Sequence, residues 1–308
     1  MTIPESQLKI WSNQGATVTA KNTHESIRTA LNADTSPLKK KGFIEGSDFE
    51  IYLQGSYKNT TNIRGNSDVD VVVQLNRVFQ AEVSECSIAE QVLFEQTFSG
   101  SNYHWWNWRS DILEALQAYY GRDSVDGTGN KSLKLEKGSG RLAADIVPCL
   151  QYRCYCRFGT IFEPFIEGVK FYTQRENRSV VNYPKLHYEN GVAKNSQDHT
   201  NGWYKPVVRM FKNARCYLVD QGLISKDSAP SYFLECLLYN VPSDRFRESY
   251  QLSYLQVIVW LVESLPANFW SFICQNEQIP LFGNTPEQWT IANAQELVNA
   301  LISLWSKW

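Results

Sequence analysis

The sequence predicts a mixed α/β (α+β) lobe followed by a mainly helical C-terminal lobe. Between Phe49 and Leu150, short β-type runs surround two helical patterns, an order that is typical of a mixed sheet backed by helices. After about Gly202 the apolar residues recur at helical spacing. At 308 residues the chain exceeds the usual size of one domain. We therefore expect two closely packed lobes, residues 1–175 and 176–308, with the N-terminal helix packing across both.

Each predicted element rests on apolar periodicity and on turn residues at its ends. Alternating or continuous β-branched residues indicate strands, whereas apolar residues three or four apart indicate helices. The last helix shows this spacing on one stripe, at Ile291, Ala294, Val298, Leu301 and Trp305. In chain order we predict a helix at 18–31, strands at 50–53 and 69–75, helices at 87–98 and 105–120, strands at 142–150, 151–155 and 165–172, and helices at 203–221, 231–239, 250–264 and 291–305.

Composition and charge limit the classes of function. The formal net charge is −2, whereas a general nucleic-acid binder usually carries a basic excess, so no obligatory nucleic-acid partner is expected. The N-terminus lacks a basic segment followed by an apolar one, and the most apolar run is too short to span a bilayer. Seven scattered cysteines fit a reducing compartment. These observations predict a cytoplasmic protein without a membrane partner.

Three aspartates in apolar strand patterns carry the chemical interpretation. Asp68 and Asp70 open a Val-rich run, and strand alternation directs both carboxylates to one face. Asp145 interrupts another apolar run, so a neighbouring strand would bring it to the same face. Converging carboxylates repel one another, and a divalent cation removes that conflict. Hard oxygen ligands favour Mg²⁺, with Mn²⁺ as an alternative, and two ions per site suit in-line phosphoryl chemistry.

A Gly-Ser pair supplies the second part of this predicted site. Gly55 and Ser56 follow the first strand and precede the Asp-x-Asp pair by eleven residues. Glycine permits close backbone approach, and the amides of the pair with the Ser56 hydroxyl can donate hydrogen bonds to phosphate oxygens. A lone Gly-Ser or Asp-x-Asp is commonly a turn. The combination with a later strand aspartate is far more specific and predicts nucleotide binding beside a metal site.

The string GSYKNTTNIRGNSDVDVVV and the later Asp145 resemble the polymerase-β-like nucleotidyltransferase superfamily. Within it, the chain is similar to the bacterial cGAS/DncV-like nucleotidyltransferases (CD-NTases) of CBASS anti-phage signalling, over roughly residues 49–239. The resemblance implies a polymerase-β-like core and a metal-dependent enzyme that makes a cyclic di- or oligonucleotide second messenger. It further implies ATP, GTP or other ribonucleoside triphosphates as substrates, and a downstream cyclic-nucleotide effector protein as partner.

The same resemblance suggests nucleotide-binding residues in the helical half. Lys212 falls where these enzymes carry a helical lysine that contacts the triphosphate, and Ser231 and Tyr232 match the family's phosphate-binding serine and base-stacking aromatic residue. Each residue type suits its implied role, since lysine provides a point charge and tyrosine a flat stacking face. Each also has an ordinary structural interpretation, as a solvated helix lysine or a core tyrosine.

Two other interpretations of the whole chain stay open. One is a template-independent terminal nucleotidyltransferase that acts on RNA or on a protein hydroxyl, and the other is a catalytically idle nucleotide-binding regulator. Two local motifs favour packing over function. Cys149, Cys154 and Cys156 match no usual zinc spacing, and the Trp-rich segment 104–108 lacks interleaved basic residues, so we expect it to pack against the other lobe.

Overall fold

The computed structural model describes residues 2–63, 68–159 and 164–308, which form two compact units. The sheet unit comprises Thr17–Tyr57 and Asn66–Lys185, and the helical unit comprises Met1–Ala16, Lys58–Gly65 and Leu186–Trp308. Both units are discontinuous in the sequence, whereas the sequence patterns predict continuous lobes that divide near residue 175. The chain therefore passes from one unit to the other four times, after Ala16, Tyr57, Gly65 and Lys185.

The sheet unit is built on a mixed sheet with seven strands in the described residues. The strands are β1 Phe49–Leu53, β2 Val69–Glu82, β3 Val125–Asp126, β4 Leu133–Leu135, β5 Ala144–Tyr155, β6 Phe165–Tyr172 and β7 Ser179–Asn182. The order β1-β2-β5-β4-β3 forms the main path, while β6 pairs with β5 and β7 pairs with β6. The pair β2–β5 is parallel and every other pair is antiparallel.

Strand lengths differ from the sequence prediction in the two central strands. β5 is continuous where two strands, 142–150 and 151–155, are predicted, because its ladder passes from β4 to β6 without a turn. β2 continues beyond Leu75 to Glu82, and its register against β5 shifts between Leu75 and Phe79. A bulge of this kind adds residues to one strand without ending the pairing. The extension, residues 76–82, was not predicted because its polar residues form no alternating pattern with the apolar ones.

The helices of the sheet unit cover the sheet with aromatic and aliphatic side chains. They are α2 Val18–Asn32, α3 Pro37–Lys40, α4 Gly55–Asn59, which continues into the helical unit, α5 Ile88–Thr97 and α6 Trp105–Tyr120. Trp105 and Trp108 of α6 are 2% and 0% exposed, and their indole N–H groups donate to Pro148 O and Val73 O. The expectation that the Trp-rich segment packs against the other lobe is wrong, because these rings fill the core beneath their own sheet.

The helical unit has its core around α9. Its helices are α1 Glu5–Trp11, α7 Pro184–Lys194, which begins in the sheet unit, α8 Gln197–Thr200, α9 Tyr204–Asp220, α10 Ser231–Tyr239, α11 Tyr250–Asn268 and α12 Ile291–Lys307. Val207, Val208 and Phe211 of α9 are fully buried. Glu5 of α1 accepts the backbone N–H groups of Tyr250 and Gln251, and so stabilises the start of α11. Across the described residues, none of the helices combines the length and the apolar character that a membrane crossing requires.

Candidate functional site

The parallel pairing of β2 and β5 brings two of the predicted aspartates together. Asp70 is in register with Asp145, and neighbouring strands lie about 4.8 Å apart, with in-register side chains on the same face. Val69, Val71 and Val73 are fully buried, whereas Asp70 and Asp145 are only partly buried. The valines anchor the strand in the core, and the two carboxylates stand side by side at the less buried face.

Asp68 lies immediately before β2 and is exposed. Part of the motif that precedes it, residues 64–67, lies outside the described residues. Within the described part of the chain, no group of three or more His, Cys, Asp or Glu side chains is placed to hold a metal ion. The metal site formed by Asp68, Asp70 and Asp145 therefore stays a prediction. The donor set itself fits Mg²⁺ or Mn²⁺, because all three side chains provide hard oxygen ligands.

The Gly-Ser pair contacts this carboxylate site through its backbone. Gln54 N donates to Asp70 O at 2.9 Å, which brings the end of β1 beside Asp70. Gly55 then adopts a φ of +65°, and a Cβ at this position would lie 2.2 Å from Asp70 Oδ2. Only glycine meets both conditions without strain. Ser56 follows Gly55 in the first turn of α4, and its role in binding phosphate stays a prediction.

A fourth side chain, which the sequence did not identify, completes this arrangement. Ser132 Oγ donates to Asp145 Oδ1 at 2.9 Å from the residue before β4. The antiparallel β4–β5 register pairs Lys134 with Asp145, and strand alternation places Ser132 on the same face as Asp145. No sequence signal marked Ser132, because a serine in a Gly-rich loop is common and the pairing of β4 with β5 was not predicted.

Lys212 of the helical unit is buried and bound to a carboxylate. It is 3% exposed, and its ammonium donates to Glu235 Oε1 at 2.7 Å. Thr61 Oγ1 donates to the same oxygen at 2.7 Å, and His187 Nε2 lies 3.6 Å from Glu235 Oε2. Burial raises the pKa of Glu235, but Lys212 and His187 outweigh that effect and the pKa falls to about 2. Glu235 is therefore ionised at neutral pH and forms a buried ion pair.

Ser231 and Tyr232 are the first two residues of helix α10, which also contains Glu235. Ser231 is exposed at the first helical position. The Tyr232 ring stacks on His187 at a centroid distance of 5.2 Å and an interplanar angle of 22°, and it also packs near Trp289. Tyr232 thus already has a stacking partner within the protein. The nucleotide-binding roles of Lys212, Ser231 and Tyr232 stay predictions, and these three residues belong to the helical unit, whereas Gly55, Ser56 and the aspartates belong to the sheet unit.

The cysteines form no metal site in the described part of the chain. Cys149 is fully buried on β5, and burial raises the pKa of its thiol. All seven cysteines are free thiols. Cys149 therefore acts as a small packed core residue, as the sequence interpretation expects. Cys154 is only half-buried and Cys156 is exposed, so that interpretation does not hold for Cys156.

Comparison with known proteins places the chain in one family. Residues 189–306 match the model of the cGAS/DncV-like nucleotidyltransferase C-terminal helical domain. The chain is 51% identical over 308 residues to a cyclic UMP-AMP synthase of Rhodothermus marinus, covering 100% of this chain and 99% of that protein. It is 40% identical over 311 residues to the cyclic nucleotide synthase CdnE01 of Staphylococcus haemolyticus, covering all of both proteins.

Structural comparison agrees with the sequence relatives. The fold is similar to the Rhodothermus marinus CdnE c-UMP-AMP synthase solved with Apcpp and Upnpp, at a TM-score of 0.86 and 49% identity, covering 99% of this chain and 97% of that one. The predicted polymerase-β-like core with a helical C-terminal lobe is therefore confirmed. The sequence identity of 51% over the full length of the chain, the match to the helical-domain model and the shared fold show that the chain belongs to the cGAS/DncV-like nucleotidyltransferases.

Proposed function

We propose that this protein is a cyclic dinucleotide synthase that joins one uridine and one adenosine nucleotide. The observation that carries the proposal is the 51% identity to a cyclic UMP-AMP synthase along the entire chain. The in-register pair of Asp70 and Asp145 beside Gly55 supplies the local geometry that such chemistry needs. Ribonucleoside triphosphates are the substrates, and the relative's structure with Apcpp and Upnpp supports that substrate class.

In this proposal, metal binding and phosphate binding are assigned to different groups of the chain. Asp68, Asp70 and Asp145 would hold Mg²⁺ or Mn²⁺, which when bound lowers the pKa of the attacking ribose hydroxyl and offsets the charge of the leaving pyrophosphate. The backbone at Gly55 and the amide and hydroxyl of Ser56 bind phosphate oxygens. Because Gly55 lies against Asp70 Oδ2, phosphate bound there is held next to the carboxylates rather than elsewhere on the sheet.

The helical unit contributes charge and shape in this proposal. Lys212 has three N–H donors, and its buried ammonium donates to Glu235. In this proposal a donor that Glu235 does not use binds a phosphate oxygen. Ser231 offers an exposed hydroxyl at the start of α10. Tyr232 offers an aromatic surface that is fixed by His187, and a rigid ring loses little entropy when a base stacks on it. The product would act on a cyclic-nucleotide effector protein in anti-phage defence in the cytoplasm.

The test is a product assay with purified protein and each combination of the four ribonucleoside triphosphates, in Mg²⁺ and separately in Mn²⁺. Products that resist phosphatase are identified by chromatography and mass spectrometry. We expect a cyclic UMP–AMP product when UTP and ATP are both present. Asp70→Asn should abolish it, whereas Asp123→Asn, which changes an exposed carboxylate of the same unit, should not.

Other outcomes would point elsewhere. Extension of an added RNA without a cyclic product would favour a terminal nucleotidyltransferase. Binding of nucleotides without any turnover, in Mg²⁺ and Mn²⁺ alike and with all four triphosphates, would favour a regulator. A cyclic product that contains other bases would support the assignment as a cyclic nucleotide synthase but refute the uridine–adenosine specificity.

A further inference from the structure

The loop between β3 and β4, residues 127–132, delivers a hydroxyl to the carboxylate pair. Ser132 at its end donates from Oγ to Asp145 Oδ1 at 2.9 Å. A carboxylate that accepts a hydrogen bond on one oxygen loses rotation about its side-chain torsion, and the direction of its other oxygen is thereby set. The Ser132 hydroxyl is therefore in a position to fix where Asp145 Oδ2 points.

Two side chains from other elements hold this loop by its carbonyl groups. Arg109 of α6 donates from Nη2 to Gly127 O at 2.8 Å, and Gln174, which follows β6, donates from Nε2 to Gly127 O at 2.8 Å and to Gly129 O at 2.9 Å. Arg109 is only 7% exposed. Burying a guanidinium is unfavourable unless it is hydrogen-bonded. In the described part of the chain, Nη2 of Arg109 is bound to the loop, whereas its buried Nε has no hydrogen-bond partner. The bond to Gly127 O therefore offsets part of the cost of burying this side chain.

The loop also requires a glycine at position 129. A Cβ added to Gly129 would lie 2.4 Å from Ser132 O, which is backbone and has little freedom to move. Any larger residue at position 129 must displace the backbone of Ser132. The close approach of Gly129 to Ser132 O therefore links the path of the loop to the position of the Ser132 hydroxyl.

From these contacts we propose that Ser132 is a positioning residue that orients Asp145 for metal and substrate, and that Arg109, Gln174 and Gly129 hold Ser132 in place. The proposal rests on the proposed function of the carboxylate site. Partners that hydrogen-bond a metal-ligating carboxylate typically change metal affinity or activity by about 10- to 100-fold when they are removed. Ser132 is the hydroxyl that occupies this position on Asp145 in the described structure.

The experiment measures Mn²⁺ binding to the full chain by electron paramagnetic resonance of free Mn²⁺, in the presence of a non-hydrolysable ATP analogue. We expect Ser132→Ala to raise the half-saturating Mn²⁺ concentration about 10-fold, while its thermal unfolding without metal stays close to that of the unaltered protein. Ser132→Thr keeps the hydroxyl and should restore binding. Gly129→Ala keeps Ser132 but displaces its backbone, and it should weaken Mn²⁺ binding as well.

Ser124→Ala is the matched control, because it removes a serine hydroxyl at the other end of the same hairpin, where Ser124 is tied to Glu136 through its backbone carbonyl. It should bind Mn²⁺ like the unaltered protein. Equal Mn²⁺ affinity and equal turnover in Ser132→Ala and the unaltered protein would overturn the inference while leaving the synthase in place. If the unaltered protein itself binds no Mn²⁺ under these conditions, the inference and the proposed metal site both fail.

Discussion

Removing the charge of Glu235 should expose how strongly the helical unit depends on one buried ion pair. Glu235→Gln keeps the shape of the side chain but leaves Lys212, which is 3% exposed, without a carboxylate at 2.7 Å. Breaking a buried pair by removing one partner typically destabilises a protein by about 3–5 kcal/mol, since the remaining charge is buried and uncompensated. We expect a loss in this range for the free energy of unfolding at pH 7.

The pKa of Glu235 gives a second route to the same magnitude. Its pKa is about 2 in the folded protein, against an ordinary value of 4.5, and each unit of difference corresponds to about 1.4 kcal/mol. The ionised carboxylate therefore contributes about 3 kcal/mol above pH 4.5. Because the folded pKa is the lower one, that contribution is lost as the pH falls from about 4.5 toward 2. The gap between the unaltered protein and Glu235→Gln should narrow over the same range.

Urea unfolding at pH 7 and at two lower pH values measures both effects. Glu263→Gln is the control, since it changes an exposed carboxylate on α11 of the same unit, and it should shift stability by less than about 0.5 kcal/mol. The double variant Lys212→Met with Glu235→Gln removes both charges and should be more stable than the sum of the single effects predicts. A loss below about 1 kcal/mol for Glu235→Gln at pH 7, well under the usual cost of breaking a buried pair, would refute the reasoning.

Three further changes probe the sheet and the helical core. Gly55→Ala should reduce product formation sharply, because a Cβ would lie 2.2 Å from Asp70 Oδ2 and the φ is +65°; normal turnover would contradict this. Trp108→Phe removes the donor to Val73 O and should lower the free energy of unfolding by about 1–3 kcal/mol, as measured in urea. Burial lowers the pKa of Lys194 from 10.5 to about 8, so the unfolded chain binds more protons between these values. The stability of the unaltered protein relative to Lys194→Met should thus rise by about 3 kcal/mol between pH 8 and 10.5, and a constant gap would be inconsistent with that pKa.

Strongly periodic segments of the fold could be predicted from the sequence alone. The helices at Trp105–Tyr120, Ser231–Tyr239 and Ile291–Lys307 begin where the patterns indicate, because their core-facing residues recur at helical spacing. Helix Pro184–Lys194 was missed, and only His187 and Gly191 of it are buried. A helix with so few buried side chains leaves no apolar stripe in the sequence, and its position depends on tertiary contacts such as Gln275 Nε2 to His187 O at 2.6 Å.

The residues of the candidate site also differ in whether a sequence pattern marks them. Asp70 and Asp145 could be identified because a charge inside an apolar strand run is conspicuous. Glu235 has the same kind of signal, a lone carboxylate between Leu234 and Cys236, and its buried ion pair with Lys212 could have been suspected. Ser132 could not, since its importance depends on the pairing of a three-residue strand with β5. Short strands carry too few residues for a periodic pattern to emerge.

The discontinuity of the two units has a consequence for how the chain is made. Synthesis proceeds from the N-terminus, so the segments Met1–Ala16 and Lys58–Gly65 leave the ribosome well before Leu186–Trp308, the segment with which they form a unit. The Thr61 hydroxyl can form its hydrogen bond to Glu235 only after a further 174 residues have been synthesised. A single truncation of the gene therefore cannot yield either unit intact. In a nascent chain that stalls after the sheet, apolar side chains such as Leu8 would be exposed, because the helices that form their core would not yet be synthesised.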